Sequence, residues 1–181
     1  MEQGKRLQVF HPFRTFLLAA CTFFLAGFFS GCKIYRFNQV SIPADIKTVY
    51  VRYIDNKARY INPQLSPQLT DKLRQKIVSQ TKLTQVNSEN ADYDISGFVS
   101  QYDVTTSAIS GQQVASNRLT VAVTIRLVDN KTEGEQPREF TISRSFDFSA
   151  TLSLPQAEAR LMDEMIRNLT DEIFNRIFSE W

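Results

Sequence analysis

Arg118-Leu119-Thr120-Val121-Ala122-Val123-Thr124-Ile125-Arg126-Leu127 alternates, one residue at a time, between aliphatic side chains and charged, hydroxylated or small ones. Successive side chains of a strand point to opposite faces, so the stretch reads as a half-buried strand with Leu119, Val121, Val123, Ile125 and Leu127 toward a core. A helix would scatter the same residues around its axis. The reading extends forward along the chain. Asp129 to Pro137 is polar and holds Asn130 and Gly134, after which Phe140, Ile142, Phe146, Phe148 and Ala150 alternate with Thr141, Ser143, Ser145, Asp147 and Ser149. Two alternating runs joined by a short polar segment predict an antiparallel hairpin. Arg144 falls in the apolar phase, which predicts either a guanidinium that snorkels to solvent from an edge or bulge, the favoured reading, or a buried functional charge.

Working backward, Tyr93 to Val104 reads as the preceding strand. Its apolar phase passes from Ile95 and Val99 to Tyr102 and Val104, and that one-residue slip predicts a β-bulge near Ser100. Ser96-Gly97 and Ser110-Gly111 lack the surroundings of a nucleophile elbow and mark a close backbone approach and a turn. Lys47 to Ile54, rich in β-branched and aromatic residues, predicts the first strand, and Asp55 to Pro63 a loop. Ser66 followed by Pro67 predicts a helix start, with Leu69, Leu73 and Ile77 forming a narrow stripe that ends near Thr81. Ser153-Leu154-Pro155-Gln156 fits a capping box, and Leu161, Met162, Met165, Ile166, Leu169, Ile173, Phe174, Ile177 and Phe178 form a broad stripe on a helix running almost to Trp181. The order β-α-β-β-β-α predicts an α+β two-layer sandwich: a four-stranded sheet with two helices on one face and a wet, polar opposite face.

Upstream of this domain the chain changes character. Thr15 to Phe29 is apolar and follows Lys5, Arg6 and Arg14, and at 15 residues it falls short of the roughly 20 needed for a spanning helix. The basic flank, the apolar run and the small pair Ser30-Gly31 form the three-part pattern of an export signal over residues 1–31. Phe29-Ser30-Gly31-Cys32 resembles a bacterial lipobox, with Phe29 where Leu is usual; an ordinary secretory signal or a retained anchor are the alternatives. Cys21 and Cys32 are the only cysteines, so a chain cut before Cys32 has one cysteine at its first position and no disulfide. That arrangement predicts a lipid anchor at Cys32, multiply acylated because one acyl chain gives only reversible attachment. Residues 32–46 then form a tether and residues 47–181 the domain. No acidic run follows Cys32, which favours the periplasmic leaflet of the outer membrane.

The charge balance narrows the function. Removing Lys5, Arg6, Arg14 and Glu2 from totals of 21 basic and 19 acidic residues leaves 18 of each, a neutral remainder that argues against nucleic-acid binding. His11, the only histidine, lies in the leader, so the exported domain has no His-based dyad and no His-ligated zinc. Asp92 and Asp94 share a strand face and are the best carboxylate pair for metal or acid/base work, yet they lack a third ligand, and a solvated strand start accounts for them better. Met162 and Met165 belong to the helix stripe and read as core packing. Neither an enzyme nor a cofactor or metal site is expected.

The chain resembles the LptE family of lipopolysaccharide-assembly lipoproteins. The resemblance is carried by Gly31-Cys32-Lys33-Ile34-Tyr35-Arg36-Phe37 at the anchor, by Asn62-Pro63-Gln64-Leu65-Ser66 entering the first helix, and by Asn117-Arg118-Leu119-Thr120-Val121 opening the central strand. It implies a lipid-anchored outer-membrane protein that plugs the lumen of an LptD-type β-barrel, helps it assemble and contacts lipopolysaccharide. It implies neither catalysis nor a cofactor. An auxiliary lipoprotein of another envelope lipid-trafficking or secretion system remains the alternative. Candidate contacts for lipopolysaccharide or for the barrel are the loop-end cations Lys57, Arg59, Arg118, Lys131 and Arg138, with Arg118 foremost because its planar fork grips a phosphate through paired donors.

Overall fold

The alternation at Arg118–Leu127 forms the middle of the sheet. The computed structural model describes residues 42–110 and 113–179; the export signal, Cys32, residues 33–41 and Gly111 lie outside the described residues. Along the chain come β1 (Thr48–Val51), β2 (Asp55–Asn56), α1 (Leu65–Gln80), β3 (Thr84–Gln85), β4 (Tyr93–Ser110), β5 (Gln113–Asp129), β6 (Arg138–Ser149) and α2 (Leu154–Phe178). The sheet order is β3-β1-β4-β5-β6, with β2 also on the β4 edge.

The antiparallel part follows the expected hairpin: β5 pairs with β6 from Ser116↔Ser149 to Leu127↔Arg138. Opposed residues share a face, so Leu119 with Phe146 and Val123 with Ile142 lie on the buried side, while Thr120 with Ser145 and Thr124 with Thr141 lie on the other. The bulge is at Ser100, where the β4–β5 register skips between Val99 and Gln101. Gly97 marks the close approach that its place in the strand predicts: a Cβ there would lie 2.6 Å from the Thr124 carbonyl oxygen.

The expectation of four strands is corrected. β1 pairs in parallel with both β3 and β4, and β2 pairs in parallel with β4, which makes the sheet mixed and adds two strands to the expected order. β2 and β3 are two residues each, too short for any alternation to register in sequence. α1 supplies the crossover that a parallel β1–β3 pair requires.

The helix starts also differ in detail. α1 begins at Leu65 rather than after Ser66: Gln64 is the residue that precedes its first turn, and an Asx turn in which Asn62 Oδ1 accepts the Gln64 N–H at 2.9 Å leads the chain into it. Leu65, Leu69, Leu73 and Ile77 are fully buried on one side of α1. Thr70 ties that helix to the chain leaving β1, accepting the Ile54 N–H at 3.0 Å and donating to the Ser66 carbonyl at 2.8 Å. At the start of α2 the capping box forms, with the Ser153 N–H donating to Gln156 Oε1 at 3.0 Å. The α2 stripe and the α1 stripe join one hydrophobic cluster with the buried side of the sheet, which Ile46 also enters. Arg144, opposite Val121, snorkels to the rim and pairs with Glu172 on α2. Val104 is not buried: its register partner Leu119 on β5 is fully buried, but Val104 lies on the β4 edge, where no described strand flanks it, and its side chain is exposed.

Candidate functional site

The sheet face turned away from the helices is built from the polar half of each alternating strand. Its centre is small and neutral. Thr120 and Ser145 hydroxyls meet at 3.0 Å, and those of Thr124 and Thr141 at 2.9 Å, so cross-strand neighbours satisfy one another. Ala122 and Thr124 are buried between their neighbours, which leaves a flat surface. Charge surrounds that centre and is only partly paired: Asp103, opposite Thr120 on β4, and Arg126 on β5 make no ion pair with a described residue. Arg118 Nε and Nη2 donate to the two Asp147 oxygens at 2.8 and 2.9 Å. That hydrogen bonding, more than the charge itself, holds the Asp147 carboxyl below the ordinary carboxylate range. At the β1 margin Arg52 Nε and Nη2 donate to the Asp94 oxygens, the shorter contact being 2.6 Å, and Nη1 donates to Glu89 at 2.9 Å. Hydrogen bonding to Asp94 raises the Arg52 pKa further above its ordinary value.

The five cations named from the sequence do not converge. Lys57 follows β2, and its Nζ stands 4.5 Å from the Phe98 ring centroid, a cation–π distance. Arg59 is exposed in the same loop, next to Tyr60. Lys131 and Arg138 flank the β5–β6 turn; Lys131 Nζ lies 3.4 Å from Asp92, and Arg138 lines a cavity of about 720 Å³ with Tyr93, Asp129 and Arg176. Arg118 is nine residues along β5 from Leu127, the register partner of Arg138, which at about 3.4 Å per residue is about 30 Å. It also lies on the opposite face from Arg138. No single phosphate group spans these positions. Arg118, foremost in the sequence reading, has its fork occupied by Asp147. Lys57 and Arg59 make no ion pair with a described residue.

Asp92 and Asp94, considered as a carboxylate pair, are each engaged by the fold. Asp94 holds Arg52, and Asp92 Oδ2 accepts the Lys47 and Thr48 N–H groups at 2.8 and 2.9 Å, clamping the start of β1. Among the described residues no three His, Cys, Asp or Glu side chains gather around a metal position. The Lys47 backbone N–H is the largest cause that lowers the Asp92 pKa from 3.8 to about 2. Because the folded value lies below the unfolded one, the ionised carboxylate stabilises the fold at neutral pH, and that stabilisation is lost as pH falls from about 4 through about 2. The stability gap between wild type and Asp92→Asn, read from urea midpoints, is therefore expected to shrink over that range. A gap independent of pH would show that the charge of Asp92 does not hold the strand.

Sequence reading missed a buried polar cluster. Glu158 on α2 is buried and accepts the Tyr102 hydroxyl at 2.7 Å, while Tyr60 stacks on Tyr102 with ring centroids 5.4 Å apart and reaches Glu158 at 3.5 Å. Burial pushes both tyrosine hydroxyls up, and Glu158 adds to the effect. The one sequence signal was Glu158 itself: with Ala157 it sits one turn before Leu161 and Met162, on the apolar side of the helix.

The family model described as LptE, lipopolysaccharide-assembly, matches residues 46–177. Two solved structures to which the chain is similar come from bacterial lipoproteins. A minor lipoprotein from Acinetobacter baumannii is 20% identical, with 73% of this chain and 92% of that chain covered at a TM-score of 0.44. The rare lipoprotein B from Shewanella oneidensis is 14% identical, with 72% and 90% covered at a TM-score of 0.45. No curated protein matches the sequence.

Proposed function

The chain belongs to the LptE lipopolysaccharide-assembly family, and from that membership we propose that it is the lipid-anchored plug of an LptD-type outer-membrane β-barrel. In this role it helps the barrel assemble and assists lipopolysaccharide into the outer leaflet. The observation that carries the reading is the polar, hydroxyl-lined sheet face. A barrel lumen is polar, and a flat face whose central hydroxyls are already paired with one another can lie against it, while the unpaired Asp103 and Arg126 can meet polar groups of the lumen wall. The role needs no catalysis and no cofactor.

Export and anchoring belong to the same proposal: residues 1–31 are removed, Cys32 carries the lipid, and the tether lets the domain reach the barrel from the periplasmic side. For lipopolysaccharide, Lys57 and Arg59 are the cations best placed, because the Phe98 ring beside Lys57 suits an amphiphile and neither cation pairs with a described carboxylate. Arg118, Lys131 and Arg138 fit barrel contacts or internal bracing better.

Copurification tests the plug. Wild-type lipoprotein is expected to bring down a large, heat-modifiable β-barrel. Thr141→Trp/Ser143→Trp, which puts bulk on the flat face without entering the core, should lose it while keeping a wild-type denaturation midpoint. Retention of the barrel by that variant would overturn the assignment of this face, and copurification with an ABC-transporter subunit instead would move the protein to another trafficking system. Cys32→Ala should yield a soluble or unprocessed protein, with mass spectrometry finding the lipid only on wild type.

A further inference from the structure

β4 is 18 residues long, but on the side away from β5 only its first part is covered: β1 pairs with Tyr93 to Ile95, and β2 with Phe98 and Val99. From Ser100 to Ser110 the strand stays paired with β5 while, among the described residues, no strand pairs with its other edge. The register identifies the backbone groups that line this edge. The Ile95 and Val99 carbonyls accept the Arg52 and Lys57 N–H groups at 2.8 and 2.9 Å, so odd-numbered residues before the bulge face outward. The extra residue at Ser100 reverses the phase, and the N–H and C=O groups of Val104 and Thr106 therefore point along the open edge.

Edges of this kind are normally blunted by lysine, proline or an inward charge. Past Asp103 this one carries none of them. Val104 to Asn117 contains no charged residue and no proline, between Asp103 on one side and Arg118 on the other. Val104 and Ile109 are 41% and 69% exposed. The bulge beyond Thr106 bends the ribbon but leaves the preceding stretch available. A neutral, β-prone edge with exposed aliphatic side chains is a template for another strand.

We propose that the Ser100–Ser110 edge of β4 is a strand-addition site, occupied in the working complex by an extended, uncharged segment of the partner barrel. The identity of the partner rests on the plug reading above. Two features determine the chemistry of the occupant. Past Asp103 a charged segment would meet no counter-charge along this edge and would be buried unpaired, which selects a serine-, threonine-, glycine- or aliphatic-rich strand there. The added strand also continues an existing row, because β2 already pairs with the same edge at Phe98 and Val99. Main-chain hydrogen bonds would supply affinity, and the exposed Val104 would gain cover.

Amide hydrogen exchange resolved to single residues, on the full lipoprotein alone and bound to its barrel, tests the site. The Val104 and Thr106 amides are expected to slow at least about tenfold on binding, whereas the Asp103 and Thr105 amides, which point toward β5, should change little. Thr106→Pro, which deletes one outward N–H at a position where an edge strand tolerates proline, should weaken barrel binding about threefold to tenfold; Thr106→Ala should not. A complex in which Val104 and Thr106 exchange as fast as in the free protein would overturn the strand-addition site and leave the plug reading standing. Protection of the same amides in the isolated protein, rising with its concentration, would assign the edge to a second copy and overturn the barrel segment as occupant. Absence of any complex would overturn both readings together.

Discussion

Phe174→Ala is expected to cost about 3–5 kcal/mol of folding stability, the range for truncating a buried aromatic residue where the surroundings cannot collapse into the space. Phe174 is buried between the two helices, with its ring 5.0 Å from that of Phe178 and the Lys76 ammonium 5.1 Å from its centroid. Lys76 is itself held by Asp171 at 2.8 Å, so the substitution removes the apolar fill and also the ring beneath a half-sequestered cation. Ile173→Ala and Ile177→Ala should each cost about 2–5 kcal/mol for the same reason without the cation. Thr120→Ala and Ser143→Ala, on the open face, should stay within about 0.5 kcal/mol. Chemical denaturation measures all five. Equal, small effects in both sets would mean that α2 is not packed on the sheet.

Gly97→Ala should destabilise by about 1–3 kcal/mol, the cost of forcing a methyl group into a filled site. The new Cβ would meet the Thr124 carbonyl oxygen at 2.6 Å and Ile125 Cδ1 at 2.7 Å. The isoleucine methyl can rotate away. The carbonyl cannot, because it belongs to the β4–β5 ladder, and moving it strains pairing on both sides of Phe98↔Thr124. Since Gly97 lies between the β1 and β2 pairings, the strain should spread to the β2 edge and to Lys57 above Phe98. The check is a lowered urea midpoint with faster exchange of the Lys57 amide, which donates to Val99. Ser96→Ala, one residue away and facing the open side, should be close to neutral. An unchanged midpoint for Gly97→Ala would mean that the β4–β5 approach is looser than 2.6 Å implies.

The features legible in the sequence share one property: each is decided by a residue's own backbone periodicity. Leu119 to Leu127 had to be a strand with one buried side because its alternation has period two, and Phe140 to Phe148 followed in the same way. The slip between Val99 and Tyr102 located the bulge at Ser100, since only an extra residue reverses the facing. The stripe from Leu161 to Phe178 had to be a covered helix, and Ser153 with Gln156 marked its start. The family could also be read from sequence, on Asn62–Ser66 and Asn117–Val121. By contrast, β2 and β3 left no trace, because two residues carry no period, and the parallel pairing of β1 with β3 and β4 is a choice among partners that no local pattern encodes.

The same boundary runs through the candidate site. Sequence alone determined that this protein has an amphipathic sheet, that one face is hydroxylated and near-neutral, and which cations are available, because composition and alternation are properties of single strands. Tertiary structure decided what those cations do: Arg118 turns to Asp147, Arg144 to Glu172 and Lys131 to Asp92, while Lys57 is left beside the Phe98 ring and Arg59 makes no ion pair with a described residue. It also brought Glu158 under Tyr102 and Tyr60, and left the β4 edge past Val99 without a strand neighbour among the described residues. The physical reason is that burial depends on one residue and its period, whereas ion pairing, stacking and strand neighbourhood depend on distances between residues far apart in the chain, which exist only once the sheet has chosen its register.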